Sequence, residues 1–310
     1  MQKYFIKRIL FLIPIILVVS FLVYGMMSMT GDPARMLAGD NMTDEQVEAL
    51  RDSMGLNEPL VVRYLNYMKD IVHGDFGASL YGKDVLHEYI TRLPYTVALA
   101  FSAMVLVVVV SIPLGIIAAL KRGTLIDAGV SAFAVLGLSV PGFWLGIMLI
   151  LWFALGLGWV HTGGATELSD IILPAITAAV PNIALVTRTT RSSMLDVLNA
   201  DYLRTARAKG VSEKDVVLRH ALKNALIPIV TIVGSQFSIL LGGTFVVEMI
   251  FSWPGVGNLI VTAVRGNDYN MVTGCVIMTT VLVALVLLLV DILYAFIDPR
   301  IQAQYSGGKK

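Results

Sequence analysis

The sequence predicts an all-α membrane protein with six transmembrane helices. Three observations carry that expectation. Hydrophobic residues make up 56% of the chain and charged residues only 15%, with a mean hydropathy of +0.77, whereas a soluble domain carries about 25% charge. Apolar segments of about 20 residues, enough to cross the hydrocarbon core, recur along the chain. The polar sequence between them falls mainly into two blocks, residues 31–94 and Asn199 to Asn224.

The first element, residues 1–30, opens with Lys3, Lys7 and Arg8 before an apolar run. The run is long and lacks a small-residue cleavage site, so it reads as a retained span rather than a signal peptide. Residues 31–94 read as a helical cap domain. Thr43 and Gln46 form a capping box for one helix. Glu58-Pro59 starts a second, proline being well placed in a first turn. Its apolar residues, Leu60, Tyr64, Leu65, Met68, Ile71 and Val72, fall largely on one face. Gly74, Gly77 and Gly82 interrupt the pattern, and a third short helix is expected from about Asp84 to Arg92.

Five further spans are expected in the core, residues 95–298. They lie at Tyr95–Leu120, within Asp127–Leu157, and at Asp170–Thr187, Ala225–Val247 and Met271–Phe296. Pro113, Pro141, Pro174, Pro181 and Pro228 lie in or at the ends of these segments. Membrane helices tolerate such prolines where neighbours satisfy the freed carbonyls. Gly146 and Gly242-Gly243 are expected to let helices approach closely. Residues 299–310 form a short tail.

Orientation follows from Lys and Arg, which concentrate on the cytoplasmic side. With the N-terminus inside, 16 of the 23 basic residues fall in inner segments. Eight of those are in the loop 188–224. The expected topology therefore has both termini and that loop in the cytoplasm and the cap outside.

The Asn199–Asn224 stretch is punctuated as helix, joint, helix. Leu203 to Lys209 is Ala- and Arg-rich, which suits a helix. Asn199 or Asp201 is expected as its N-cap, and Gly210 as the left-handed residue that ends it. Ser212 and Asp215 have the spacing of a box that starts a second helix. A basic helix held between two spans reads as a lever that another protein grips.

Several functions lack their residues. The single cysteine, Cys275, lies in an apolar segment, which excludes a disulfide framework or a cysteine-based metal site. The four histidines show no ligand spacing, and no metal site is expected. No Gly-x-x-x-x-Gly-Lys-Ser/Thr loop exists, so the chain has no phosphate cradle of this kind. A net charge of +1 offers nothing to nucleic acid. Asp291 is the one acid well inside an apolar run; a bond to a neighbouring helix and a functional site are both open. Ser235, Gln236 and Ser238 can line a polar path or join helices, and the sequence does not choose.

A set of ordered motifs spans nearly the whole chain. Gly31-Asp32-Pro33-Ala34, Gly55-Leu56-Asn57-Glu58-Pro59-Leu60 and Gly74-Asp75-Phe76-Gly77 with Ser79 lie in the cap. Ser139, Pro141 and Phe143 follow, then Asp201-Tyr202 with Arg204-Thr205-Ala206-Arg207-Ala208-Lys209-Gly210. Arg219-His220-Ala221-Leu222 with Asn224-Ala225, Phe251-Ser252-Trp253-Pro254-Gly255 with Gly257, and Asp298-Pro299-Arg300 complete the set. In these motifs the chain resembles the permease subunits of bacterial ATP-binding-cassette importers of the dipeptide, oligopeptide and nickel class, specifically the first permease of the pair.

That resemblance implies a coupling helix in the loop, carried by Asp201, Tyr202, Arg204, Thr205, Ala206, Arg207, Ala208, Lys209 and Gly210. The general form of such loops begins Glu-Ala-Ala and reaches Gly after three more residues. Here Arg204 and Thr205 replace the first two while Ala206 and Gly210 remain, a departure usual in the peptide branch. The resemblance further implies a second homologous permease, two ATPase subunits that carry ATP and Mg, and an external solute-binding protein. The chain itself is then a multi-pass subunit of the bacterial plasma membrane, with no cofactor and no catalytic residues. Short peptides are the expected cargo, with glutathione, nickel or a nickel chelate as alternatives. A stand-alone secondary transporter is the reading of another class; the scarcity of ionisable residues inside the spans weighs against it.

Overall fold

A computed structural model describes residues 2–38 and 42–297, with side-chain surroundings for 10–38 and 42–292. Asp298-Pro299-Arg300, the tail and the side chains of Lys3, Lys7 and Arg8 lie outside these. Helices dominate, and among the described residues no strand forms beyond one isolated bridge between Ala78 and Asp84. Among the described residues five helices are long and apolar enough to cross a membrane, and one bent pair makes a sixth crossing if counted as one span. Two compact units are present. One comprises Gln2–Thr96 and Pro254–Ala284; the other comprises Val97–Trp253 and the described residues from Leu285 on.

In the first unit, α1 (Gln2–Thr30) is the first apolar helix, and α2 (Pro33–Ala38), α3 (Asp44–Ser53) and α4 (Leu60–Val72) follow. The Thr43–Gln46 box is present in both directions: Gln46 N–H donates to the Thr43 hydroxyl and Thr43 N–H to the Gln46 side chain. Pro59 sits at the N-cap of α4, one residue before the first helical position. Ala34, Ala38 and Val47 bury one face of α2 and α3 against Leu50 and Leu56. Arg51 donates to Asp32 and holds its carboxyl below the usual carboxylate range. α13 (Val256–Arg265) and the first half of α14 (Tyr269–Ile297) complete this unit, packing Val256, Ala263, Met271, Val272 and Cys275 on Val85 and Tyr89.

The third cap helix and the second span are one helix, α5 (Val85–Leu120), running unbroken through Pro94 and Pro113. Each proline removes one backbone bond, and the long apolar helix carries on past both.

The second unit is built around α8 (Ile172–Leu198), which follows a 3₁₀ turn (Leu168–Ile171). It is the most buried of the long helices and packs against α6 (Leu125–Ser139), α7 (Gly142–Leu149) and α11 (Leu222–Gly243). The expected third span is broken. α6 and the helix beginning at Gly142 meet at 97°. The cause is Pro141: Val140 before it adopts φ −78° and ψ 121°, the extended conformation that a following proline favours. α7 continues as a π-helix over Ile150–Gly156. The fourth span is longer than expected and takes in Arg188 and Arg191, two residues of the expected loop 188–224. Arg191 is paired within the unit: its Nε and Nη2 donate to the two Asp127 carboxylate oxygens at 2.6 and 2.8 Å, which neutralises the charge that the longer helix carries. The fifth span ends at Gly243, and a short α12 (Phe245–Ile250) follows.

Glycines set how closely these helices pack. A Cβ on Gly115 of α5 would lie 2.5 Å from Thr190 Cβ and 2.9 Å from the Thr187 carbonyl oxygen on α8. Gly146 is also a close approach, against Phe251 and Thr177. Gly243 is not, because nothing lies within 4 Å of its Cβ position.

Candidate functional site

α9 (Asp201–Ala208) follows α8 after a two-residue turn. Neither expected N-cap residue fills that role. Ala200 occupies it, with no side-chain bond. Asn199 instead ends α8 and donates to the Leu195 carbonyl at 3.1 Å. Asp201 is the first helical residue, where a negative charge suits the positive end of the helix dipole. The two readings compete because Asn and Asp serve a cap and a first turn almost equally well.

The C-terminal end matches the expectation. Gly210 has φ +78°. Its N–H donates to the Arg207 carbonyl at 3.0 Å, and the Val211 N–H reaches back to Ala206 at 3.3 Å. These are the two bonds of a Schellman cap, and Val211 and Ala206 share one apolar cluster beneath it. Ser212 accepts from the Asp215 N–H at 3.2 Å and starts α10 (Glu213–Asp215). A π-helical stretch, Val216–Ala221, joins α10 to α11.

The helix has two unlike faces. Leu203 is fully buried with Met194, Val216, Val217 and Ala221, and Ala206 packs beside it. Asp201, Tyr202, Arg204, Thr205, Arg207, Ala208 and Lys209 are exposed. Two side-chain links fix the angle of α9. Arg207 Nε and Nη2 donate to both Glu213 oxygens at 3.0 and 2.9 Å, spanning the Gly210 joint and holding the guanidinium pKa above its usual value. Asn224 donates to the Tyr202 hydroxyl at 2.9 Å, tying the start of α9 to α11. Arg207 is therefore engaged within the chain, and Arg204, Ala208 and Lys209 are the residues most open to a partner. Nothing in the residue pattern marks these links beyond the presence of both partners in one polar stretch.

The three polar residues of α11 are placed differently from one another. Gln236 Nε2 donates to Asn182 Oδ1 at 2.5 Å and joins α11 to α8. Ser238 is buried and donates to the Gly234 carbonyl of its own helix. Ser235 is half-buried. Asp291 is partly buried in α14. Two residues escaped notice in the sequence: Asp127, and Glu248, which is fully buried in α12 and accepts from the Thr244 hydroxyl at 3.0 Å.

Residues 111–303 match the family described as the binding-protein-dependent transport system inner membrane component, and residues 1–100 match the N-terminal region of the same membrane components. The chain belongs to this family. As an inner membrane component it is a multi-pass transport subunit of the bacterial inner membrane that works with a binding protein. It is 43% identical to the glutathione transport system permease protein GsiC of Escherichia coli strain K12, over 97% of this chain and 99% of that one. It is 39% identical to the oligopeptide transport system permease protein AppB of Bacillus subtilis strain 168, over 97% and 100%. The inner membrane component also shares its fold with the inward-facing MetNI methionine ABC transporter, at a TM-score of 0.59 and 18% identity, over 69% of this chain and 97% of that one.

Proposed function

We propose that the chain forms one half of the translocation pore of an ATP-driven importer of short peptides, paired with a second, homologous permease. The observation that carries this reading is full-length similarity to permeases named for glutathione and for oligopeptides. Glutathione is itself a tripeptide, so both names share one cargo chemistry; the higher identity to the glutathione permease makes glutathione the second reading.

In this account α9 is the coupling helix. ATP binding closes two cytoplasmic ATPase subunits, and α9 carries that movement through Leu203 and the apolar cluster into α8 and α11. ATP and Mg stay on the ATPases. Both termini and the segment around α9 face the cytoplasm, and residues 31–94 face outward to receive the solute-binding protein. The excess of Lys and Arg on the inner segments supports this orientation; an α9 out of reach of a cytoplasmic ATPase would reverse it. Gln236 joins α11 to α8, which leaves Ser235 as the better pore-lining candidate of the three. The test is uptake of labelled dialanine, trialanine and glutathione by the reconstituted complex with its binding protein. ATP-dependent peptide uptake is expected. Uptake that needs no ATPase subunit would mark a stand-alone secondary transporter, and a complex that takes up none of the three probes would move the cargo away from short peptides.

A further inference from the structure

Within the unit formed by Gln2–Thr96 and Pro254–Ala284 lies a cavity of about 380 Å³. That is the size class of small-molecule sites. It is walled by the end of α1, the whole face of α4 and the start of α14. An adjoining cavity of about 260 Å³ shares Ser28, Pro33, Leu56 and Arg63 with it.

The polar residues on its wall follow a pattern. Arg63, Asn66, Tyr67 and Asp70 all line it, and their spacing of i, i+3, i+4 and i+7 is one stripe of a helix. Asn270 of α14 and Glu58, just before α4, join them. The stripe carries opposite charges at its ends. Arg63 is half-buried, over the Tyr24 ring at 5.9 Å, and Tyr67 stacks on Tyr24 at 5.5 Å. Its one hydrogen bond among the described residues is a long one, 3.5 Å, to the Leu56 carbonyl. Among the described residues no carboxylate pairs with it, although a guanidinium has five donors in a fork that suits a carboxylate. At the other end the Asp70 carboxylate is exposed and makes no hydrogen bond or ion pair among the described residues. Glu58 accepts only from Asn66, at 3.3 Å.

The geometry points to a binding site for a zwitterionic peptide of two or three residues. Its C-terminal carboxylate lies on Arg63 and its N-terminal ammonium on Asp70, with Glu58 and the Asn66 and Asn270 amides beside the backbone. Length supports this class. Seven residues of α-helix separate the two charges by about 10 Å along the axis. An extended peptide covers about 3.3–3.6 Å per residue, so three residues span the stripe and two span it with the reach of the Arg63 side chain. A lone anion would leave Asp70 in its way, and a lone cation would face Arg63. The site rests on the peptide-importer reading and adds a binding step on the permease itself, separate from the external binding protein.

The test is equilibrium binding of labelled dialanine to the purified permease–ATPase complex in lipid discs, with the external binding protein left out. N-acetyl-dialanine and dialanine amide are the companion probes, and Arg63→Gln and Asp70→Asn the variants. Saturable dialanine binding is expected, weakened about tenfold or more by either variant, as for loss of one charge-assisted contact. Arg63→Gln should leave binding of the amide unchanged, and Asp70→Asn should leave binding of the N-acetyl peptide unchanged. This crossed pattern separates contact from misfolding, which would weaken all probes alike. Absent saturable binding, or equal losses for every probe, overturns the site. Uptake by the same complex with its binding protein is measured alongside: normal peptide uptake with no binding here removes only the site, whereas binding here without any ATP-driven peptide uptake removes the importer reading.

Discussion

Gly210→Val is expected to insert into the membrane normally and to lose most ATP-driven uptake. The backbone at Gly210 has φ +78°, and nothing lies within 4 Å of its Cβ position. No side-chain clash is involved; the cost is conformational, roughly 1–2 kcal/mol for a residue with a Cβ in the left-handed region and more for a β-branched one. Relief of that strain breaks the Schellman bonds from Gly210 and Val211. The Arg207–Glu213 pair cannot hold the joint alone, since an exposed ion pair contributes only about 0–1 kcal/mol. α9 then leaves its angle while Leu203 loses its seat among Met194, Val216 and Ala221. No charge changes, so the Lys and Arg distribution that sets orientation is intact. Uptake and substrate-stimulated ATP hydrolysis of the reconstituted complex are the readouts. Wild-type coupling in a normally inserted Gly210→Val complex would reduce the stretch to an ordinary basic loop.

Gly115→Leu is expected to destabilise the second unit strongly. Even a methyl group there would sit 2.5 Å from Thr190 Cβ and 2.9 Å from a backbone oxygen of α8. Backbone cannot swing aside as a flexible side chain does, so α5 must move off α8. Overpacking of this kind costs about 1–3 kcal/mol, or more, against a total stability of roughly 5–15 kcal/mol. Gly243→Leu is the control, because its Cβ position is open. The melting temperature of the detergent-purified protein reads both. Gly115→Leu should lower it by many degrees or abolish monodisperse protein, and Gly243→Leu should not. Equal melting temperatures would mean that α5 and α8 do not depend on this approach.

These two glycines mark what the sequence reveals and what it hides. Gly210 was legible because a cap is local: an Ala- and Arg-rich run, a glycine, an apolar residue and a Ser-x-x-Asp box lie within a dozen residues. The Thr43–Gln46 box was legible for the same reason. Gly115 carries no such signal, since its partner, Thr190, is 75 positions away and only packing brings them together. The broken third span was half-legible. Pro141 was visible, but hydropathy reads length and not direction, so a 97° bend looks like one continuous segment. The fourth span was cut short because Arg191 looks like a loop residue until Asp127 is placed beside it. In the cap, the apolar stripe of α4 was read and its polar counterpart, Arg63 to Asp70, was not, since a charged stripe on an amphipathic helix ordinarily faces water.

The central claim is that α9 is gripped by an ATPase through its exposed face. Photocrosslinking from single cysteines tests it most directly, and the one native cysteine, Cys275, is buried and gives little background. Ala208→Cys and Arg204→Cys place a benzophenone label on the exposed face. In the assembled complex the account predicts adducts with the ATPase subunit from both, with a yield that changes when ATP is added. No ATPase adduct from either exposed position, in a complex that still imports substrate, would contradict it.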